Sequence, residues 1–201
     1  MPDQELARIG RAYDARAAEY VELLGAVDDA APEDRALIEA WRGATPGRLL
    51  DAGCGPGQWT DLLAAGGRDA VGLDLSAAFL ASARARFPSG RYVRADLRAL
   101  PLADASCDGV LAWYSLIHLP PELVPEALAE IARVLRPGGS VLLGFFDGEP
   151  RTPFDHQVTT AWWWSVEAMS DALVVAGLRP RASRRRHGDG HRPHADLLAH
   201  R

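Results

Sequence analysis

Three carboxylates, each at or just past the end of an expected strand, are the residues of this chain best placed to do chemistry. Leu49-Leu50-Asp51 leads into glycines at Gly53, Gly55 and Gly57. Val71-Gly72-Leu73-Asp74 closes a second run, nineteen positions after Gly55, and Arg91-Tyr92-Val93-Arg94 leads to Ala95-Asp96-Leu97. A strand that enters a turn without side chains, and then a helix, brings backbone N–H groups and a helix N-terminus up to a ligand. A carboxylate ending the neighbouring strand can take both ribose hydroxyls in charge-assisted hydrogen bonds, the part expected of Asp74. Asp96 is placed to accept from an exocyclic amine such as adenine N6. Asp51 either holds an ammonium group, directly or through water, or braces the glycine loop. The spacing also excludes. A dinucleotide turn needs a third glycine where Gln58 stands, and a phosphate-binding P-loop needs a lysine that the chain lacks. Acid-x-G-x-G-x-G suits a nucleoside with an amino-acid tail and no phosphate.

These groups meet only if strands and helices alternate. Apolar spacing predicts helices over 4–24 and 32–42, the second with proline in its first turn. Strand 48–52, helix 57–66, strand 69–74 and helix 76–87 follow, Ser76 being the N-cap. Next come strands 91–94 and 107–113, helix 122–134 and strand 140–146. Such alternation means a parallel sheet covered on both faces, with ligands at the carboxyl ends of the strands. Asp51, Gly53, Asp74, Asp96 and Trp113 then share one rim. The last third reads as helix 165–176 and two strands, about 179–186 and 194–200, closely joined and therefore antiparallel.

The ordered motifs D-A-G-C-G-P-G, G-L-D-L-S, R-A-D-L and V-L-R-P-G-G, over about residues 45–147, resemble the class I S-adenosylmethionine (SAM)-dependent methyltransferases. The resemblance is to the small ubiquinone-biosynthesis-like, type 11 domains. It implies a three-layer Rossmann-like α/β fold whose mostly parallel seven-stranded sheet ends in an antiparallel hairpin. It implies SAM as cofactor and S-adenosylhomocysteine as product. The cofactor contacts it implies run along Asp51, Gly53, Cys54, Gly55, Asp74, Leu75, Asp96, Leu97 and Trp113, with Tyr20 closing over the methionine end. Tyr13 and Tyr20 lie seven apart on the first helix, where ordinary packing competes with that role.

In the resembled family the cofactor's methyl group meets the substrate just past the fourth strand, where Tyr114-Ser115-Leu116-Ile117-His118 stands. Methyl transfer from a sulfonium needs proximity, alignment and dry surroundings, and a base only when the nucleophile carries a proton. His118 is the candidate base, with packing or capping as its alternative. Trp162-Trp163-Trp164 cannot all face inward, so at least one is expected to reach a groove, as wall of an aromatic acceptor pocket or as core. Arg184-Arg185-Arg186 with His187, His191 and His194 reads as a solvated hairpin tip, with no metal site expected there.

Composition narrows the partner. At 201 residues with a net charge of −5, the chain is expected to be one domain: a helical lid over 1–44, the cofactor core over 45–147 and a substrate-side segment with the hairpin over 148–201. The acidic balance disfavours polyanions, and neither the Asp/Asn-Pro-Pro-Tyr/Phe tetrad nor the Pro-Cys nucleophile of base-modifying enzymes is present. All 22 basic residues are arginine, which excludes lysine chemistry, and absent asparagine argues against the metal set of catechol-type enzymes. Cys54 and Cys107 lack metal spacing and read as reduced structural thiols. No apolar run reaches membrane-spanning length, and the N-terminus lacks a secretory core, so a cytoplasmic location is expected. What remains is a small organic acceptor met by a monomer or homodimer. Two rivals stay open: a SAM-using enzyme that transfers no methyl, and a SAM-binding module without catalysis.

Overall fold

The computed structural model describes residues 2–188 and 192–201. Helix α1 (Pro2–Leu24) turns Ile9 and Ala17 inward, and α2 (Pro32–Ala44) buries Ile38 and Trp41. Strand β1 (Leu49–Ala52), α3 (Gln58–Ala64) and β2 (Ala70–Asp74) follow. Then come α4 (Ala77–Arg86), β3 (Tyr92–Arg94), β4 (Cys107–Trp113), α5 (Val124–Val134) and β5 (Leu135–Phe146). A hairpin of β6 (Pro153–Asp155) and β7 (Thr160–Trp162) precedes α6 (Val166–Val175), β8 (Arg179–Arg186) and β9 (His194–His200). Seven strands form one sheet in the order β3-β2-β1-β4-β5-β9-β8, with β6-β7 a separate ribbon.

The first five strands of the sheet pair in parallel, while β9 runs antiparallel to both β5 and β8. All four residues of β1 are buried, as expected of a central strand covered by helices on both faces. Strand order reverses between β1 and β4, so a crevice opens where these two carboxyl ends part. Ala52, Asp74 and Trp113 end the strands bordering it. Ser76 caps α4 by accepting from the Phe79 amide at 3.1 Å.

Two local expectations are corrected. Strand β5 begins at Leu135, not near 140, because Leu135 pairs with Cys107 before the ladder breaks and resumes at Gly109–Ser140. Pro137, Gly138 and Gly139 make up most of that interruption, which reads in sequence as a turn ahead of the strand. The β6–β7 ribbon lies between the expected strand 140–146 and helix 165–176, where no element is expected; its strands are three residues each, too short to show alternation. Arg184, Arg185 and Arg186 end β8 inside the expected strand 179–186 and are ion-paired, Arg184 with Asp196, Arg185 with Asp147 and Glu167, and Arg186 with Asp34 on α2. The turn predicted from His187 to His191 includes Asp189, Gly190 and His191, which lie outside the described residues.

Candidate active site

At the carboxyl ends of β1, β2 and β4 the glycine turn climbs with Gly53, Gly55 and Gly57 all at positive φ. Gly53 needs its lack of a side chain for two reasons: a φ of 84° and a neighbour, since a Cβ there would fall 2.2 Å from the Ser115 Cβ. Gly55 (φ 52°) faces open space, so the turn presents bare backbone to whatever lies above it. The Gly53 and Cys54 amides both donate to the Leu73 carbonyl at 2.8 Å, tying the turn to β2.

Asp74 sits where that tie ends. Its Oδ2 accepts from the Gly55 amide and its Oδ1 from the Ser76 amide, each at 2.8 Å. Burial pulls its pKa upward while these bonds hold it down, with a net rise. Each oxygen keeps a second lone pair for a hydroxyl donor. Asp96 is engaged from the other side: the Arg98 guanidinium donates to Oδ2 at 2.8 Å and 3.1 Å, and the Arg98 amide to Oδ1 at 2.9 Å.

A cavity of about 130 Å³ runs beneath α1 along this rim. Of the predicted contacts, Gly53, Gly55, Asp74, Leu75, Asp96, Leu97, Trp113 and Tyr20 line it, and so does His118. Asp51 and Cys54 do not. Asp51 is 1% exposed and accepts from the Thr60 hydroxyl at 2.6 Å, bracing α3 against β1. Burial pushes its carboxyl up to about 7, with the nearby Asp74 charge adding to the rise. Cys54 belongs to a small apolar cluster with Leu80, Ala83 and Tyr92, and burial raises its thiol well above the usual range.

Sequence reasoning singled out Tyr13 and Tyr20 on α1 but passed over Asp14, which clasps the helix to the rim. Asp14 Oδ1 accepts from the Ser76 hydroxyl at 2.6 Å and the Ala78 amide at 3.0 Å, so one helix caps the next. Tyr13 and Tyr20 pack on Phe79, with centroids at 5.3 Å and 5.1 Å. Ser115 lines the cavity with its Oγ buried and unpartnered beside Gly53. Only the D-A-R run beside Tyr13 hinted at Asp14, and nothing local in the sequence tells which helix it would reach.

His118 closes the other end, 6% exposed in the short 3-10 turn after β4. Its Nδ1 lies 2.9 Å from the Thr160 carbonyl, which can only accept, so Nδ1 carries the proton. The Nε2 lone pair lies 2.5 Å from the Tyr13 hydroxyl, which donates to it. Burial, against the Thr160 hydrogen bond and with the neighbouring His156 adding to it, lowers the imidazole from 6.5 to about 4. The ring is neutral at physiological pH. Beyond it stands an aromatic cluster: His156 at 5.0 Å from His118, then Phe146, Phe154, Trp163 and His194. The tryptophan triplet divides as its spacing requires. Trp164 is core at 1% exposure, while the half-buried Trp163 lies 4.4 Å from Phe154, centroid to centroid, and Trp162 packs beside the core. None of the three lines the cavity under α1. Tyr114 does line it, at an unfavourable φ of 54°, its hydroxyl 2.7 Å from His194 Nδ1.

Residues 49–139 match the family model described as methyltransferase domain. This match, with the sheet order and the glycine turn over a buried strand-end acid, makes the core of the chain similar to the methyltransferase domains; it does not select the ubiquinone-biosynthesis-like grouping. Malonyl-[acyl-carrier protein] O-methyltransferase of Enterobacter lignolyticus is 44% identical over 92 residues, 46% of this chain and 36% of that one. Demethylmenaquinone methyltransferase of Beutenbergia cavernae is 37% identical over 122 residues, 60% of this chain and 50% of its own. The chain thus spans between about a third and a half of these relatives' length. In fold it is similar to 1,6-didemethyltoxoflavin-N1-methyltransferase of Burkholderia thailandensis, solved with 1,6-didemethyltoxoflavin and S-adenosylhomocysteine. That likeness has a TM-score of 0.82 and 21% identity, covering 100% of this chain and 90% of that one.

Proposed function

We propose that the chain transfers the methyl group of SAM to a small organic acceptor, leaving S-adenosylhomocysteine. The observation that carries this reading is the rim itself: a side-chain-free turn whose Gly55 amide is held by Asp74, with Asp96 further along one cavity. The donor set suits the cofactor. Asp74 retains lone pairs for two ribose hydroxyls, Asp96 accepts from an amine edge, and the orphaned Ser115 Oγ offers a partner to the amino-acid tail. When bound, the sulfonium supplies an activated methyl carbon, and what the protein adds is alignment and exclusion of water. Helix α1 provides that exclusion. The cavity beneath it is well below the roughly 300–1,000 Å³ usual for ligand sites, so α1 lifts to admit the cofactor and closes over it. Residues 1–44 act as lid, 45–147 as cofactor core and 148–201 as the acceptor side. His118 serves a protic nucleophile, since a neutral imidazole at the far end of the cavity can receive a proton.

The relatives' names give as acceptors a malonyl group on acyl-carrier protein, demethylmenaquinone and N1 of 1,6-didemethyltoxoflavin. The last two support a small acceptor without choosing one, and the aromatic cluster past His118 favours a flat, partly apolar molecule. The acidic balance of the chain disfavours nucleic acid. No helix among the described residues is long and apolar enough to cross a membrane, in keeping with a cytoplasmic enzyme. Mass spectrometry of cofactor and candidate metabolites after incubation tests the reading. S-adenosylhomocysteine plus a product heavier by one methylene supports it. Methylthioadenosine, or unchanged SAM with a rearranged metabolite, sinks it in favour of chemistry without methyl transfer.

A further inference from the structure

The base assigned above is not open to an acceptor. His118 has two ring nitrogens, and both are engaged by the protein: Nδ1 by the Thr160 carbonyl of β7 and Nε2 by the Tyr13 hydroxyl of α1. Tyr13, unlike the imidazole's nitrogens, has a lone pair to spare, and it lines the cavity beside Tyr20, Asp74 and Trp113. Resting on the methyltransferase reading, we infer that Tyr13 is a catalytic residue and that the acceptor's proton reaches His118 through it. The acceptor X–H gives its proton to Tyr13 Oη while Tyr13 passes its own to His118 Nε2. Over the same step the X–C bond forms, the S–C bond breaks with its electron pair going to sulfur, and imidazolium remains.

Two physical arguments favour the relay over a tyrosinate or a direct histidine base. Tyr13 never becomes charged, and burial, the neighbouring Tyr20 and the Asp74 carboxylate together make its ionised form unfavourable. A buried imidazolium is costly by itself, but here it appears only as the sulfonium loses its charge. The number of positive charges in the cavity is therefore unchanged across the reaction. His118 stays neutral while the methyl donor is present and gains affinity for a proton as the donor is spent. The contact joins separate elements, Tyr13 on α1 and His118 after β4, so a lid motion of α1 would break it. Proton acceptance is thereby tied to a sealed cavity. The titratable groups facing this pair are Tyr20 on α1, Asp74 at the end of β2, and His156, whose own imidazole burial lowers.

Nitrogen-15 histidine NMR of the protein with S-adenosylhomocysteine reads the relay without turnover. Expected is a neutral His118 protonated at Nδ1, with an Nε2 resonance that moves in Tyr13→Phe, a variant that removes a single oxygen. A proton on Nε2, or an Nε2 signal indifferent to Tyr13→Phe, overturns the proposal. Kinetics follow on the protic acceptor recovered by the mass-spectrometric screen. Tyr13→Phe and His118→Gln should each lower kcat about a hundredfold at pH 7, the double variant no further, with SAM affinity within about threefold of wild type. Both deficits should shrink as pH rises past the acceptor's own pKa, where no base is needed. A loss in His118→Gln alone, or a deficit constant with pH, overturns the relay in favour of a direct base or of packing. If S-adenosylhomocysteine does not bind at all in calorimetry, the methyltransferase reading fails instead, and the NMR of the unliganded protein still decides whether the pair exists.

Discussion

Asp74 serves two masters, and its replacement should show both. Its oxygens accept from Gly55 and Ser76, so Asp74→Ala strands two backbone donors as well as removing the proposed ribose contact. Affinity for SAM and for S-adenosylhomocysteine should fall by roughly ten- to a thousandfold, at 1.4 kcal/mol per decade. Calorimetry on the folded variant reads it, and unchanged affinity removes Asp74 from the ribose. His118 makes a second prediction, about pH. Its folded pKa, about 4, lies below the ordinary 6.5, so its contribution to stability is complete above pH 6.5 and is lost as pH falls toward 4. The span is worth on the order of 3 kcal/mol. Asp51 acts with the opposite sign. Raised to about 7, it favours the folded state at acid pH and loses that contribution as pH rises through 7. Wild type should therefore show a shallow profile in which the two partly cancel. The stability gap between wild type and His118→Gln should narrow between pH 7 and 4.5 in urea titrations; a gap independent of pH would contradict a buried neutral ring.

At the scale of elements, the bonds that Asp14 makes from α1 to α4 are the ones to cut. Asp14→Ala removes the cap that α1 places on α4, a contribution of about 0.5–2 kcal/mol. Hydrogen exchange should quicken in α1 and the first turn of α4 and stay unchanged in β1 and β4; a uniform response would mean that α1 is not a separable lid. The same measurement with SAM added should protect residues 7–24 and the 147–164 segment more than α5. Which elements were legible in the sequence follows from where their signal lies. The bounds of β4, β8 and β9 agree with the strands expected over 107–113, 179–186 and 194–200. The β6–β7 ribbon was hidden because each strand contributes three residues. The rim acids were legible because glycine spacing and strand ends are local facts. The Tyr13–His118 contact, Asp14 on α4 and the Arg98 clasp on Asp96 were not. The first two are tertiary, and the last is a choice among many carboxylates that an arginine could take.

For the molecule as a whole, binding and folding are linked by mass action. A ligand that binds only the folded chain adds about 2.7 kcal/mol at a hundredfold excess over its Kd. For a chain of this size that is an upward shift of roughly 5–11 °C in Tm. S-adenosylhomocysteine should produce it in differential scanning fluorimetry, and ATP, which shares the adenosine but carries phosphates, should not. Equal shifts would mean that the turn does not discriminate against phosphate.

Tyr114 bears on how such a protein evolves. A tyrosine at φ 54° gives up about 1–3 kcal/mol that glycine or asparagine would recover. Its ring meanwhile meets Trp113, Phe146 and His194. Selection for heat tolerance alone would find this position early and erode the aromatic wall, whereas selection on a new acceptor would meet a backbone already bent to present whatever side chain stands there. The position is a place where lineages can exchange robustness for chemical reach by a single codon.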